Sequence, residues 1–183
     1  MPDKAAINSS EAPENSSEAH EKSRGEERVL IRPVRTADMG LYRDLLAHVS
    51  ADDLRLRFFG RIAELIAEER KKLTHLDNIH DAAFGAFDED TGEMLGLVRL
   101  RDELDEQTAE FAILVRSRLK NHGLGWLLMH RAIDYAKEKG LRRVYGDVLS
   151  ENTGMLQMAD ELGFGREDIG SGMVRVVLDL GEK

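Results

Sequence analysis

The sequence predicts a mixed α/β domain with elements in the order β, α, α, α, β, β, β, α, β, α, β. Three observations carry that prediction. Apolar residues switch between strand-like and helix-like spacing from Val29 onward. The run at 109–115 is almost continuously apolar, as expected of a strand covered on both faces. A long amphipathic helix follows it through a glycine turn, Lys120-Asn121-His122-Gly123-Leu124-Gly125.

Taken in order, Val29-Leu30-Ile31-Arg32 reads as a strand ending at Pro33. Thr36 and Asp38 resemble the cap and first turn of a helix running toward His48. Ser50 with Asp53 has capping-box spacing before a second helix that carries Leu54, Leu56, Phe58 and Phe59. A third helix is expected over 63–74. Strands follow at 82–87 and 94–101, joined by the turn Asp90-Thr91-Gly92, and then at 109–115. In the long helix His130, Arg131, Asp134, Lys137 and Glu138 gather on one side and leave a wide apolar arc for the sheet. Lys137, Lys139 and Gly140 mark its end. A strand at 142–149, a short helix at 154–162 and a strand at 172–178 complete the order.

The 183 residues fit one domain, and 42% hydrophobic residues suffice for a core. Residues 1–27 read differently. They hold two of the three prolines, no aromatic residue and one branched aliphatic, Ile7, too little apolar surface to offset the entropy of ordering. We expect a disordered acidic, Ser-rich tail at 1–27 and a folded domain at 28–183. The first 28 residues hold seven acidic and four basic side chains, so −6 of the net −9 belongs to the rest. That charge argues against nucleic acid as a partner. No apolar run approaches a membrane span and the N-terminus has no secretory pattern, so a cytoplasmic protein is expected. Cysteine is absent, which removes thiolate metal sites and a cysteine nucleophile. His75 and His80 flank Asp77 without a third ligand at metal spacing; a polar loop and no metal are expected.

The glycine turn carries most of the chemistry. Main-chain N–H groups at a helix start, with the helix dipole, bind anions, and glycine lets a phosphate approach the backbone. Arg116, Arg118, Lys120 and His122 add positive charge. The spacing fits neither a P-loop nor the dinucleotide fingerprint, whose third glycine place is held by Leu128. Taken alone, the turn is equally compatible with a plain strand-to-helix connection.

Two segments resemble the paired motifs of the GNAT superfamily of acyl-CoA-dependent N-acetyltransferases. One is the run from Val115 through Lys120 and Gly123 to Gly125, with Lys120 in the family's Gln/Arg place. The other runs from Asn152 to Gly163-Phe164. The likeness implies the GNAT fold, a central mixed, mostly antiparallel, twisted sheet flanked by helices, and acetyl-CoA as co-substrate without a metal. It implies that Lys120, Asn121, His122, Gly123, Leu124 and Gly125 cradle the coenzyme A pyrophosphate. It further implies that the pantetheine arm lies along Ile113, Leu114 and Val115, with Asn152 nearby. Ile31-Arg32-Pro33-Val34-Arg35, Leu56-Arg57-Phe58-Phe59-Gly60, Leu73-Thr74-His75-Leu76-Asp77 and Ala109-Glu110-Phe111-Ala112 bring the likeness closer to the GNAT domain of bacterial protein lysine acetyltransferases. Those enzymes act on acyl-CoA synthetases, and many carry a large synthetase-like portion for which this chain has no room. The acceptor implied is therefore a protein lysine, an acyl-CoA synthetase being one candidate, or a small amine.

Direct attack of an amine on a thioester needs a proton acceptor. A lysine amine with a pKa of about 10.4 costs roughly 4–5 kcal/mol to deprotonate at neutral pH. Glu110, the one charge on an apolar strand, is placed for desolvation to tune it as a base, and it matches the catalytic glutamate of the protein-acetyltransferase branch. Asp147, on the strand before Asn152, is the competitor. Many GNAT enzymes place a tyrosine seven residues after the motif asparagine; here that residue is Ala159. Its absence keeps open a non-catalytic acyl-CoA-binding module beside the transferase reading. Tyr145 is the other phenol to consider. Arg55 and Arg57 beside Phe58 and Phe59 can shape an acceptor entrance, and the acidic run from Asp102 to Glu106 can attract a cationic partner.

Overall fold

The computed structural model describes residues 28–73, 81–103 and 107–181. The expected tail at 1–27 and the His75, Asp77 and His80 cluster lie outside the described residues, as do Leu104, Asp105 and Glu106. The chain forms β1 (Val29–Pro33), a 3-10 turn (Thr36–Asp38), α1 (Met39–Ala47), α2 (Ala51–Phe58) and α3 (Ile62–Leu73). It continues through β2 (Asp81–Asp88), β3 (Met94–Asp102), β4 (Thr108–Val115), a 3-10 turn (Ser117–Leu119), α4 (Leu124–Lys139), β5 (Arg143–Leu149), α5 (Thr153–Glu161), β6 (Gly165–Gly170) and β7 (Met173–Asp179).

Seven strands make one sheet in the order β1-β2-β3-β4-β5-β7-β6. Its neighbours pair antiparallel except β4 and β5, which run parallel. One face packs Phe84, Val98, Leu100, Phe111 and Val144 against Leu128, Met129, Ala132 and Ala136 of α4 and Leu156 and Ala159 of α5. The other packs Ala83, Phe87, Leu97 and Leu114 against Tyr42 and Leu45 of α1 and Leu73 of α3. The mixed sheet between helical layers is the predicted class. The expected cover on both faces of β4 holds in part: Ala109, Phe111 and Val115 are buried on one face and Leu114 on the other, while Glu110, Ala112 and Ile113 are only half-buried.

β6 is an addition to the predicted order. All six of its residues are exposed and Ile169 is its only large apolar side chain, because it is an edge strand that contributes little to the core. At the other edge the helix start also differs. Arg35, not Thr36, precedes the first turn, and the Asp38 carboxylate accepts the Arg35 N–H at 2.8 Å. Asp38 also takes both guanidinium arms of Arg32, at 2.7 and 2.8 Å, and Arg32 stacks 3.7 Å over Phe87. The Arg32 bond first, against the cost of burial, holds the Asp38 carboxyl below its ordinary value. Among the described residues no helix is long and apolar enough to cross a membrane.

Candidate active site

The site begins where β4 and β5 part. Their paired residues are Thr108 with Arg143, Ala109 with Val144 and Glu110 with Tyr145, and the pairing stops there although both strands continue. The Arg116 N–H donates to the Leu95 carbonyl at 2.9 Å, so by antiparallel alternation Leu114 and Ala112 aim their main chain at β3. The main-chain groups of Phe111, Ile113 and Val115 therefore face the gap, which can accept an extended, amide-bearing chain as an added strand. Leu114 differs from the expectation set for 113–115: its main chain serves β3 and its side chain is buried with α1 and α3.

The mouth of the gap is formed by the turn into α4. Asn121 and Gly123 adopt left-handed conformations, φ 63° and 86°, and Gly123 caps the helix. The first intrahelical bond runs from the Leu127 N–H to the Gly123 carbonyl, so the N–H groups of Leu124, Gly125 and Trp126 precede the helical ladder. Gly125 has an ordinary helical backbone. A Cβ on it would meet Met158 Sδ at 3.5 Å and Ile113 Cδ1 at 3.8 Å, ordinary contacts, so the protein's own packing does not demand glycine there. An open N–H row beside a glycine that packing does not require fits a phosphate drawn close to the backbone.

The expected positive side chains are partly committed elsewhere. Arg116 is buried; it donates to the Met94 carbonyl at 3.0 Å, Glu93 at 2.8 Å and Asp44 at 2.5 Å. Lys120 pairs with Asp53, which also accepts the Ser117 hydroxyl at 2.5 Å and whose N–H donates to Ser50 Oγ. Burial raises the Asp53 carboxyl, but bonds from Lys120, Ser117 and Ser50 outweigh it and leave the group below its ordinary value. The turn is thus moored to α2, and with Lys120 and Arg116 paired inside the protein it is main-chain dipoles that the turn can offer an anion. His122 and Asn121 are exposed, and the Leu124 side chain joins the core. Asn152 stands at the far side of the gap, after the end of β5, and its side-chain oxygen caps α5 through the Met155 N–H at 3.2 Å.

Glu110 sits at the vertex, on the sheet face opposite α4. It stands in register between Arg101 of β3 and Tyr145 of β5. Arg101 donates to Glu110 Oε2 at 2.8 Å, and the Glu110 side chain is 28% exposed. The apolar setting expected for Glu110 is corrected accordingly: it belongs to a row of charges. Tyr145 donates to Glu103 Oε1 at 2.7 Å. Burial, that bond and the charges of Glu110 and Glu103 push the Tyr145 phenol up, so it stays protonated. Asp147, the competing carboxylate, accepts from Nε and Nη2 of Arg175 at 2.7 and 2.9 Å, so both of its oxygens are engaged, whereas Arg101 holds only Oε2 of Glu110. Ala159 is fully buried in the core, so that position serves packing. Arg55 bridges α2 to Glu151 at 2.6 Å, and α2 packs on both β4 and β5. An acceptor reaching Glu110 from that side passes α2.

Arg101 and Arg175 are the site neighbours that sequence reading missed, and Glu103 was read only as part of an acidic loop. Their signal lay in register: a hairpin through residue 103 pairs Arg101 with Glu110.

The acetyltransferase (GNAT) family model matches residues 49–164. An acetyltransferase of Pseudomonas aeruginosa is 30% identical over 138 residues, 74% of this chain and 74% of the relative. The GNAT domain of PAT from S. lividans superposes with a TM-score of 0.78 at 23% identity, covering 93% of this chain and 100% of that one. The spermidine N-acetyltransferase of Vibrio cholerae, solved with CoA and spermine, gives 0.66 at 21% identity, covering 82% and 95%. The parted strands, the glycine turn and the family match agree: this chain belongs to the GNAT family of acetyltransferases.

Proposed function

We propose that this GNAT domain transfers the acetyl group of acetyl-CoA to the side-chain amine of a protein lysine, with Glu110 as the base. The single observation that carries the reading is the parting of β4 and β5 immediately after the Glu110 and Tyr145 pair, with the α4 turn at the open end. The residues fit the co-substrate. The N–H groups of Leu124 and Gly125, in a turn shaped by Lys120, Asn121, His122 and Gly123, hold its pyrophosphate. Ile113 and Val115 hold the amide-bearing arm, and Asn152 borders it. Acetyl-CoA supplies an activated acyl group on sulfur.

At the vertex Glu110 takes a proton from the incoming ammonium, directly or through one water, and so frees the nitrogen lone pair for attack. The amine nitrogen then forms its bond to the acyl carbon as the carbon–sulfur bond breaks, and the second proton left on nitrogen passes to the departing sulfur, so that coenzyme A leaves as the thiol. Arg101 holds Oε2 of Glu110 and so fixes the carboxylate's direction. The exposure of Glu110, Arg101 and Glu103 suits an amine presented on the surface of a partner protein, and the acidic groups suit its charge. The likeness to the spermidine enzyme favours a second reading, a small polyamine as acceptor.

Incubation with labelled acetyl-CoA and the host's soluble proteome, followed by mass spectrometry, separates the two. Label on protein lysines, lost in Glu110→Gln, is expected. Label confined to spermidine or other small amines overturns the protein-lysine reading, and binding of acetyl-CoA with no transfer to any amine overturns catalysis.

A further inference from the structure

We infer that the Phe111 ring is the wall that restricts the acyl group to acetyl; the inference rests on the transferase reading above. Phe111 and Gly146 are the first residues of β4 and β5 beyond the last paired row. Gly146 lies in mid-strand, where glycine marks a close approach. The approach is by Phe111: a Cβ on Gly146 would fall 2.6 Å from Cε1 and Cζ of that ring. The ring therefore lies across the ground of both residues and closes the floor of the gap at its narrow end. Behind it Phe164 stands edge-on, with ring centroids 5.6 Å apart, and the Phe164 N–H is tied to the Ala159 carbonyl at 2.9 Å. Phe111 is only 5% exposed, so the ring cannot swing aside without displacing the α5 side of the core.

An acyl-CoA laid along β4 from the α4 turn leads with its acyl group toward this closed end. The amine arrives from the Glu110 face, so an alkyl chain longer than acetyl is directed at the volume the ring holds. Each methylene refused by a filled apolar pocket is worth about tenfold or more in discrimination.

Calorimetry with coenzyme A, acetyl-CoA and butyryl-CoA, on wild type, Phe111→Leu and Phe111→Met, tests the wall. Melting curves first confirm folding, and Phe111→Met serves where Phe111→Leu fails to fold. In wild type, coenzyme A and acetyl-CoA should bind alike and butyryl-CoA about tenfold or more weakly; in a folded variant that ratio should shrink to about threefold or less. The readout is a ratio within one protein, so a general loss of packing cancels. Equal affinity of wild type for acetyl-CoA and butyryl-CoA, or a ratio unchanged by substitution, overturns the role of Phe111 and leaves the transferase reading standing. Failure of wild type to bind coenzyme A at all overturns both.

Discussion

Replacing Gly125 by alanine separates a ligand cradle from a plain turn. The added methyl would contact Met158 Sδ at 3.5 Å and Ile113 Cδ1 at 3.8 Å, neither of which requires movement. Gly125 is the second residue of α4 and has no left-handed backbone, so alanine removes the entropic penalty of glycine in a helix. That gain is about 0.5 kcal/mol, and for a chain of this size it raises the melting temperature by about 1–2 °C. Binding should move the other way. A methyl on the residue whose own N–H is to meet the phosphate adds bulk beside that contact and should keep the phosphate from closing on the N–H groups of Leu124 and Gly125. Loss of one charge-assisted hydrogen bond, roughly 1.5–3 kcal/mol, weakens acetyl-CoA by about 10- to 150-fold. Differential scanning calorimetry and titration calorimetry on the same preparation read both quantities. A variant of unchanged or raised stability whose acetyl-CoA affinity stays within about threefold of wild type refutes the cradle. A fall of several degrees refutes the packing argument.

Two further outcomes concern the scaffold. Asp38 has its folded pKa depressed below the ordinary 3.8, so its contribution is fully present above that value and is lost as pH falls through the folded one. Denaturant melts should show stability falling on acidification below about pH 4, and Asp38→Asn should flatten that slope while costing on the order of 1–3 kcal/mol at neutral pH. An unchanged slope would exclude the Arg32 pair as its source. Arg116 is 2% exposed while its partners Asp44 and Glu93 are near half exposed. Arg116→Met leaves carboxylates that water can solvate, whereas the double change Asp44→Ala with Glu93→Ala strands a buried cation. The double variant should be the less stable by about 2 kcal/mol or more in urea melts, and the reverse order would contradict the assigned burial.

The legible part of the fold was the part in which burial writes a pattern. Strands β2, β3, β4 and β5 and helix α4 fell within a residue or two of their expected limits because each shows an apolar face to a helix or sheet. β6 had no such face: Gly165-Arg166-Glu167-Asp168-Ile169-Gly170 pairs through its backbone to β7 while every side chain meets solvent. The glycine turn was readable because Gly123 must take a left-handed conformation and Gly140 must end the helix. Side-chain direction was not. Arg116 looked like a ligand-facing cation and is turned into the core, and Lys120 is spent on Asp53 of α2, 67 residues earlier in the chain. The partners of Glu110 and Asp147 depended on strand register, which local pattern does not specify. The close approach of Phe111 to Gly146 follows from the parting of two strands, a property of the sheet rather than of either segment.

In the proposed reaction Glu110 moves the proton while the gap holds the co-substrate. Single-turnover acetyl transfer by wild type, Glu110→Gln and Asp147→Asn, with acetyl-CoA affinity measured in parallel, tests it most directly. Glu110→Gln should keep acetyl-CoA affinity within about threefold yet slow transfer by about 100-fold or more, with a smaller effect from Asp147→Asn. A mild Glu110→Gln phenotype beside a severe loss in Asp147→Asn would contradict it.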